Sequence, residues 1–231
     1  QIGFELPFER LRFKYDSLNG AGWILGDNYK VRLVNASSGI QSSLPMCMVT
    51  EYLSEKIKNR EETKLSKEEK DKLGKRVAEI MENDAYSETI KDMMIRQLSA
   101  STIYDSFVNI VEEPELSLFP KSQMQVLFSL VSSNATSEKN MLVITTHSPY
   151  SLAIINMMIM GGKALAYAEG DAAKVEVAKI LPSNYHISTA DIAAYRLNDH
   201  EEDYCQSVIN PKTGLISKNE LDSASALIMH R

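Results

Sequence analysis

Phe107 to Pro120 reads FVNIVEEPELSLFP, an apolar run that delivers two adjacent carboxylates, Glu112 and Glu113, to a proline. The length and the Phe, Val and Ile content of FVNIV suit a buried strand. Acids at the C-terminal end of a parallel strand are where metal and phosphate chemistry is placed in open α/β sheets, although a pair of exposed loop acids gives the same pattern. A second apolar run, MLVITTHSPY from Met141 to Tyr150, stops at His147. If the two strands lie side by side, Glu112, Glu113 and His147 share one edge and face one ligand.

Working outward, a helix is expected after Pro120 and another over 149–160. Strand, helix, strand, helix in that rhythm predicts parallel strands with helical crossovers, an α/β fold. The apolar PYSLAIINMMIM of 149–160 is far short of the roughly 18 to 20 residues needed to span a bilayer, so it reads as a core helix and no membrane partner is expected. Gly162-Lys163 reads as a helix-ending turn, and ALAYAEGDAAKVEVAKIL, residues 164–181, as two β runs around a Glu-Gly-Asp turn.

Upstream, LRFKYD, GWILGD and KVRLV within residues 8–34 are short β runs broken at Asn19-Gly20 and Asp27-Asn28, the pattern of an antiparallel meander. A helix should open near Ser37, with Ile40, Leu44, Cys47 and Met48 on one face. From Glu51 to Lys75 the composition turns highly charged. Ser66 and Glu69 have capping-box spacing ahead of Leu73, Val77, Ile80 and Met81, and Glu68 with Lys72 and Asp71 with Lys75 add i,i+4 pairs. This is a solvated helical excursion or a partner-binding arm. A second amphipathic helix should bury Ile90, Met93, Met94 and Leu98. The tail from Ser183 is polar and mixed.

The 231 residues, 44% of them hydrophobic, are enough for a proper core. A net charge of -6 and a pI near 5.4 exclude a chain that coats nucleic acid through bulk positive charge. Cys47 and Cys205 have no metal or disulfide spacing, which fits a reduced, cytoplasmic compartment. His186, His200 and His230 read as surface histidines, and Trp23 with the scattered Tyr residues makes no stacking platform.

A third element is SSGIQ, Ser37 to Gln41, at the start of a predicted helix, where free N–H groups and the helix dipole favour phosphate. Alone it is also an ordinary N-cap. In combination, SSGIQ, EEPE-x-x-L-x-P and TTHSPY closely resemble the C-terminal half of an ABC-type ATPase domain, in the OLD-like and SMC-like branch of the AAA-family ATPases. The resemblance covers roughly residues 30–160. It implies ATP and Mg²⁺ as cofactors. Ser37, Ser38, Gly39 and Gln41 match the signature motif that reaches the γ-phosphate of ATP on a second subunit, and Glu112 the Walker B acid that holds Mg²⁺ through water. Glu113 matches the acid that orients or deprotonates the attacking water, His147 the switch histidine, and Leu116 to Leu118 the D-loop. The implied architecture is an ATPase lobe over 1–182, with a helical insertion at about 51–100 and a small extension over 183–231. A nucleotide-sandwiched homodimer and work in DNA repair, DNA end handling or phage defence are further implications.

One part of the family pattern is missing: the sequence contains no G-x-x-x-x-G-K-[ST]. Without that loop of amides and its lysine, the chain alone should hold ATP poorly, and a Walker A lobe N-terminal to Gln1 is expected to complete it. Two alternatives stay open. The chain could be a non-catalytic module that lends its signature to a Walker A partner, or ALAYAEGD could open a Toprim-type nuclease with Glu169 as its acid.

Overall fold

The computed structural model describes residues 2–8, 10–59, 67–101, 105–197 and 204–217. Four strands, β1 (Ile2–Glu5), β2 (Arg12–Asp16), β3 (Ala21–Leu25) and β4 (Lys30–Arg32), form an antiparallel meander in chain order. Asp16 sets its central turn: Oδ1 accepts from the amides of Leu18 and Asn19 at 3.1 and 3.4 Å, Oδ2 from the Asn19 side chain at 2.7 Å. The Asn19 side chain, with smaller help from both amides and Lys30, holds this carboxyl below its usual range against a little desolvation. Gly20 then takes the left-handed φ of 59° that closes the hairpin.

Helix α1 (Ser38–Lys58) opens where the small-residue turn predicts, and it buries Leu44 and Cys47 as the 3.6-residue period requires. The charged segment does not open at a helix boundary, since its start, Glu51 to Lys58, is still α1; it continues in α2 (Lys67–Glu82), and the second amphipathic helix is α3 (Glu88–Ser101), which packs on α2. The capping-box residue Ser66 lies outside the described residues. The α3 face is rotated from the expected one. Lys91 is buried and Met94, Ile95 and Leu98 are half-buried, while Ile90 and Met93 stay exposed along with Met81 of α2. A two-helix hairpin covers only a narrow stripe of each helix, so part of each apolar set remains in water.

FVNIVEE yields β5 (Val108–Glu112), followed by α4 (Pro120–Asn134) and β6 (Met141–Thr145). β5 and β6 pair in parallel, with Val108 opposite Met141 and Glu112 opposite Thr145. This is the expected β-α-β arrangement, in a mixed α/β chain with antiparallel strands at its periphery. One face of the pair is covered: Val111 joins Leu44 and Cys47 of α1, Val126 and Leu130 of α4, and Leu6, Phe8, Leu11, Phe13 and Ile24 of the meander in a common core. Asn109 donates to Thr50 Oγ1 at 2.8 Å, fixing β5 to α1. The other face is bare, with Val108 60%, Ile110 68%, Met141 56% and Val143 39% exposed.

The region after His147 corrects two expectations. Helix α5 (Pro149–Tyr167) runs through Gly161-Gly162-Lys163 without stopping, and residues 170–180 form helix α6 (Gly170–Ile180), so no β runs occur there. The glycines serve close packing. A Cβ at Gly162 would lie 2.4 Å from the Ile187 carbonyl oxygen, and one at Gly161 would lie 2.6 Å from Leu181 Cδ2. Only the turn survives from the strand reading: Gly170, at φ 79°, separates the two helices. Glu169 therefore caps no strand, and the strand-Glu-Gly start of a Toprim domain is absent at this position.

The tail holds a small antiparallel pair, β7 (Tyr195–Leu197) and β8 (Cys205–Ser207). It is tied to α5 by Asn156, which exchanges hydrogen bonds with the Ile216 backbone at 2.8 and 3.1 Å. His186 is half-buried rather than a surface residue, its Nε2 lying 2.8 Å from the Leu181 carbonyl oxygen. His200 and His230 lie outside the described residues. Among the described residues, no helix is long and apolar enough to cross a membrane.

Candidate functional site

The site forms where β5 and β6 end together. The ladder continues one residue past β5 through the Glu113 amide, which donates to the Thr145 carbonyl at 2.9 Å. Glu113 then turns out of the strand with a left-handed φ of 43°, an uncommon conformation for a residue with a side chain. Two successive turns follow, closed by Leu116 N to Glu113 O and Leu118 N to Glu115 O, both 3.0 Å. Pro114, inside the first turn, is buried, and Ser117, in the second, is another left-handed residue at φ 58°. Strain of this kind persists only where the surroundings over-determine it, and it gathers at functional sites.

The turn brings the Glu113 carboxylate near the His147 imidazole. Its Oε1 lies 3.6 Å from His147 Nε2, within ion-pair reach of a protonated imidazole and longer than a direct hydrogen bond. Both side chains reach solvent. Glu112, the last residue of β5, points to the bare face and is exposed beside them. A cleft of about 390 Å³ is lined by Ile110, Glu112 and Glu113 together with Ser42, Pro45 and Val49 of α1.

Helix α1 brings its N-terminus to the turn after Glu113. Ser37 Oγ accepts from the Ile40 amide at 3.4 Å, so this hydroxyl is the helix cap. Ser38 is exposed. Gly39 is buried so tightly that a Cβ would sit 2.5 Å from the Ser117 carbonyl oxygen and 2.7 Å from Leu118 Cδ2. Gly39 is thus required for the helix start to touch the 116–118 turn. Gln41 turns back, its amide donating to the carbonyls of Ala36 and Val34 at 2.8 and 3.3 Å. In this arrangement it braces the helix start rather than reaching outward.

Two residues given no role from the sequence knit the site. Glu115 Oε1 accepts from Thr146 Oγ1 at 2.6 Å and from the amides of His147 and Ser148 at 3.0 and 3.1 Å. Buried Gln123 donates to the Leu118 carbonyl at 2.9 Å and accepts from Ser148 Oγ at 2.9 Å. The only available signal was Glu115's place inside EEPE, since Gln123 looks like any polar residue of a helix.

For Mg²⁺, the donor fits in type. The cation takes hard oxygen ligands and usually keeps waters, using one or two carboxylates together with substrate phosphates. Glu112 supplies a carboxylate, and no cluster of three or more metal-ligating side chains occurs among the described residues. A site of this kind would need phosphate oxygens to complete it. Neither the family models nor the curated proteins contain a match to this chain.

Proposed function

We propose that this chain is the C-terminal part of an ABC-type ATPase, active when joined to a Walker A lobe and hydrolysing ATP with Mg²⁺ between two copies of the assembled protein. The observation that carries the reading is the meeting of Glu113 and His147 at the C-terminal edge of two parallel strands, with Glu113 in left-handed backbone. Bound Mg²⁺ would neutralise charge on the phosphates. Glu112 would hold it through water, and the Glu113 carboxylate would orient the attacking water and accept its proton. His147 would donate to the terminal phosphate from Nε2. The α1 start, with exposed Ser38 and its free amides, offers donors to a phosphate on the facing copy. The bare face of β5 and β6 adds support, because parallel strands are normally covered on both faces and a further lobe would cover this one.

Glu113→Gln in the two-lobe protein tests the reading. It keeps the shape of the side chain but removes the base, so ATP should still bind and an ATP-held dimer should accumulate, visible by light scattering. Wild-type turnover in this variant would sink the assignment.

The missing G-x-x-x-x-G-K-[ST] favours a second reading, a non-catalytic module that lends its signature to a Walker A partner. In that case substitution of Ser38 lowers the partner's turnover and Glu113→Gln does not.

A further inference from the structure

Three hydrogen-bond donors, one hydroxyl and two consecutive amides, converge on Glu115 Oε1. They come from Thr146, His147 and Ser148, the residues that carry the chain out of β6 and into α5. Ser148 is the N-cap of α5, its side chain accepting from the Ser151 amide. The Glu115 carboxylate therefore lies at the positive end of the α5 dipole and accepts charge-assisted hydrogen bonds. Its second oxygen, Oε2, is shielded from solvent, and bonds to ionised groups strengthen where water is excluded.

Glu115 belongs to the same double turn as Glu113: its carbonyl closes the second turn, and the Glu113 carbonyl closes the first. A single carboxylate thus fixes the backbone of His147 relative to the backbone of Glu113. The Glu113 amide bond to the Thr145 carbonyl joins the ends of the two strands, and Glu115 joins the residues beyond them. The Gln123 bridge acts further on, between Leu118 and Ser148.

We infer that Glu115 is a positioning residue, one that holds His147 in register with Glu113 by accepting the three hydrogen bonds of residues 146–148. Its role in turnover rests on the ATPase reading, and its role in ordering the loop does not. The three bonds need an acceptor oxygen, which the amide of a glutamine side chain also supplies, so Glu115→Gln should keep most of the register while losing the charge assistance.

Two measurements test this. In the present chain, amide hydrogen exchange at His147 and Ser148 should be about tenfold or more faster in Glu115→Ala and close to wild type in Glu115→Gln. In the two-lobe protein, Glu115→Ala should lower kcat by about ten- to a hundredfold with KM for ATP within about twofold, and Glu115→Gln should recover most of the loss. Unchanged exchange in Glu115→Ala overturns the inference, as does faster exchange with wild-type kcat. Should Glu115→Ala not fold, Thr146→Val decides through the His147 amide, which bonds Glu115 and not Thr146; Ser148 is set aside because its amide also donates to Thr146 Oγ1 at 3.0 Å. Accelerated exchange at His147 is expected, and wild-type exchange refutes the clamp. If Glu113→Gln turns over ATP at the wild-type rate in the same assay, the ATPase reading fails, and the exchange comparison alone judges Glu115.

Discussion

Cys47 and Cys205 differ in environment far more than in sequence. Cys47 is sealed in the core on the buried face of α1, and burial, with Glu51 adding like charge, pushes its thiol up to about 12. Cys205 is exposed. A thiol reagent near neutral pH should therefore label Cys205 promptly and Cys47 only when the chain unfolds, because the thiolate is the reactive form. Equal labelling rates would show that α1 does not cover the core as described. Glu51 offers a pH test on the same helix. Desolvation first, then Glu55, raises its carboxyl above the usual value, partly offset by Lys58. The folded state thus binds this proton more tightly than the unfolded state does. The charged form costs stability above the folded pKa, and the cost disappears below the unfolded one. Glu51→Gln should raise Tm slightly near neutral pH and leave it unchanged at about pH 3, read by thermal melts at both. Among site residues, Glu112, Glu113 and His147 were legible because each marks the point where an apolar run stops. Glu115 and Gln123 were not, because their partners in residues 146–148, two hydroxyls and two backbone amides, come close only through the parallel pairing of β5 and β6.

Helices and strands were legible wherever one period dominated. The meander, α1, β5, α4 and β6 each bury a single face against a common core, and their apolar spacing says so. The reading failed over residues 164–181, where the alternation of KVEVAK imitates a strand. The alanines and the continuous packing of α5 on its neighbours make helix instead. Gly161 and Gly162 misled for a related reason: a glycine pair can end a helix or allow another segment to approach it, and the sequence does not distinguish the two. Gly162→Ala separates these roles. In an exposed helix that change would stabilise by nearly 1 kcal/mol through propensity. Here the new methyl meets the Ile187 carbonyl oxygen at 2.4 Å, a backbone atom with little freedom to yield. Overpacking should cost about 1–3 kcal/mol and lower Tm by several degrees. A rise in Tm would mean that residues 187 and 162 do not meet.

At the scale of the molecule, one structural feature and one sequence feature point the same way. A parallel pair of strands carries its acids and histidine to one edge but leaves a whole apolar face bare, and the sequence supplies no phosphate-cradling loop. Both are explained if the chain is one lobe of a larger ATPase, with metal, base and switch residues on this side and the phosphate cradle on the other. Neither feature was weighted equally from sequence. The missing loop was plain, whereas the bare face became apparent only once Val108, Ile110, Met141 and Val143 were seen in register on the uncovered side. The most direct test is Mg²⁺-dependent ATP hydrolysis measured on this chain alone and on the protein that joins it to a Walker A lobe. The account predicts no turnover above buffer for the chain alone, turnover for the two-lobe protein, and loss of at least about a hundredfold of it in Glu113→Gln. Hydrolysis by the isolated chain, or an undiminished rate in Glu113→Gln, would contradict it.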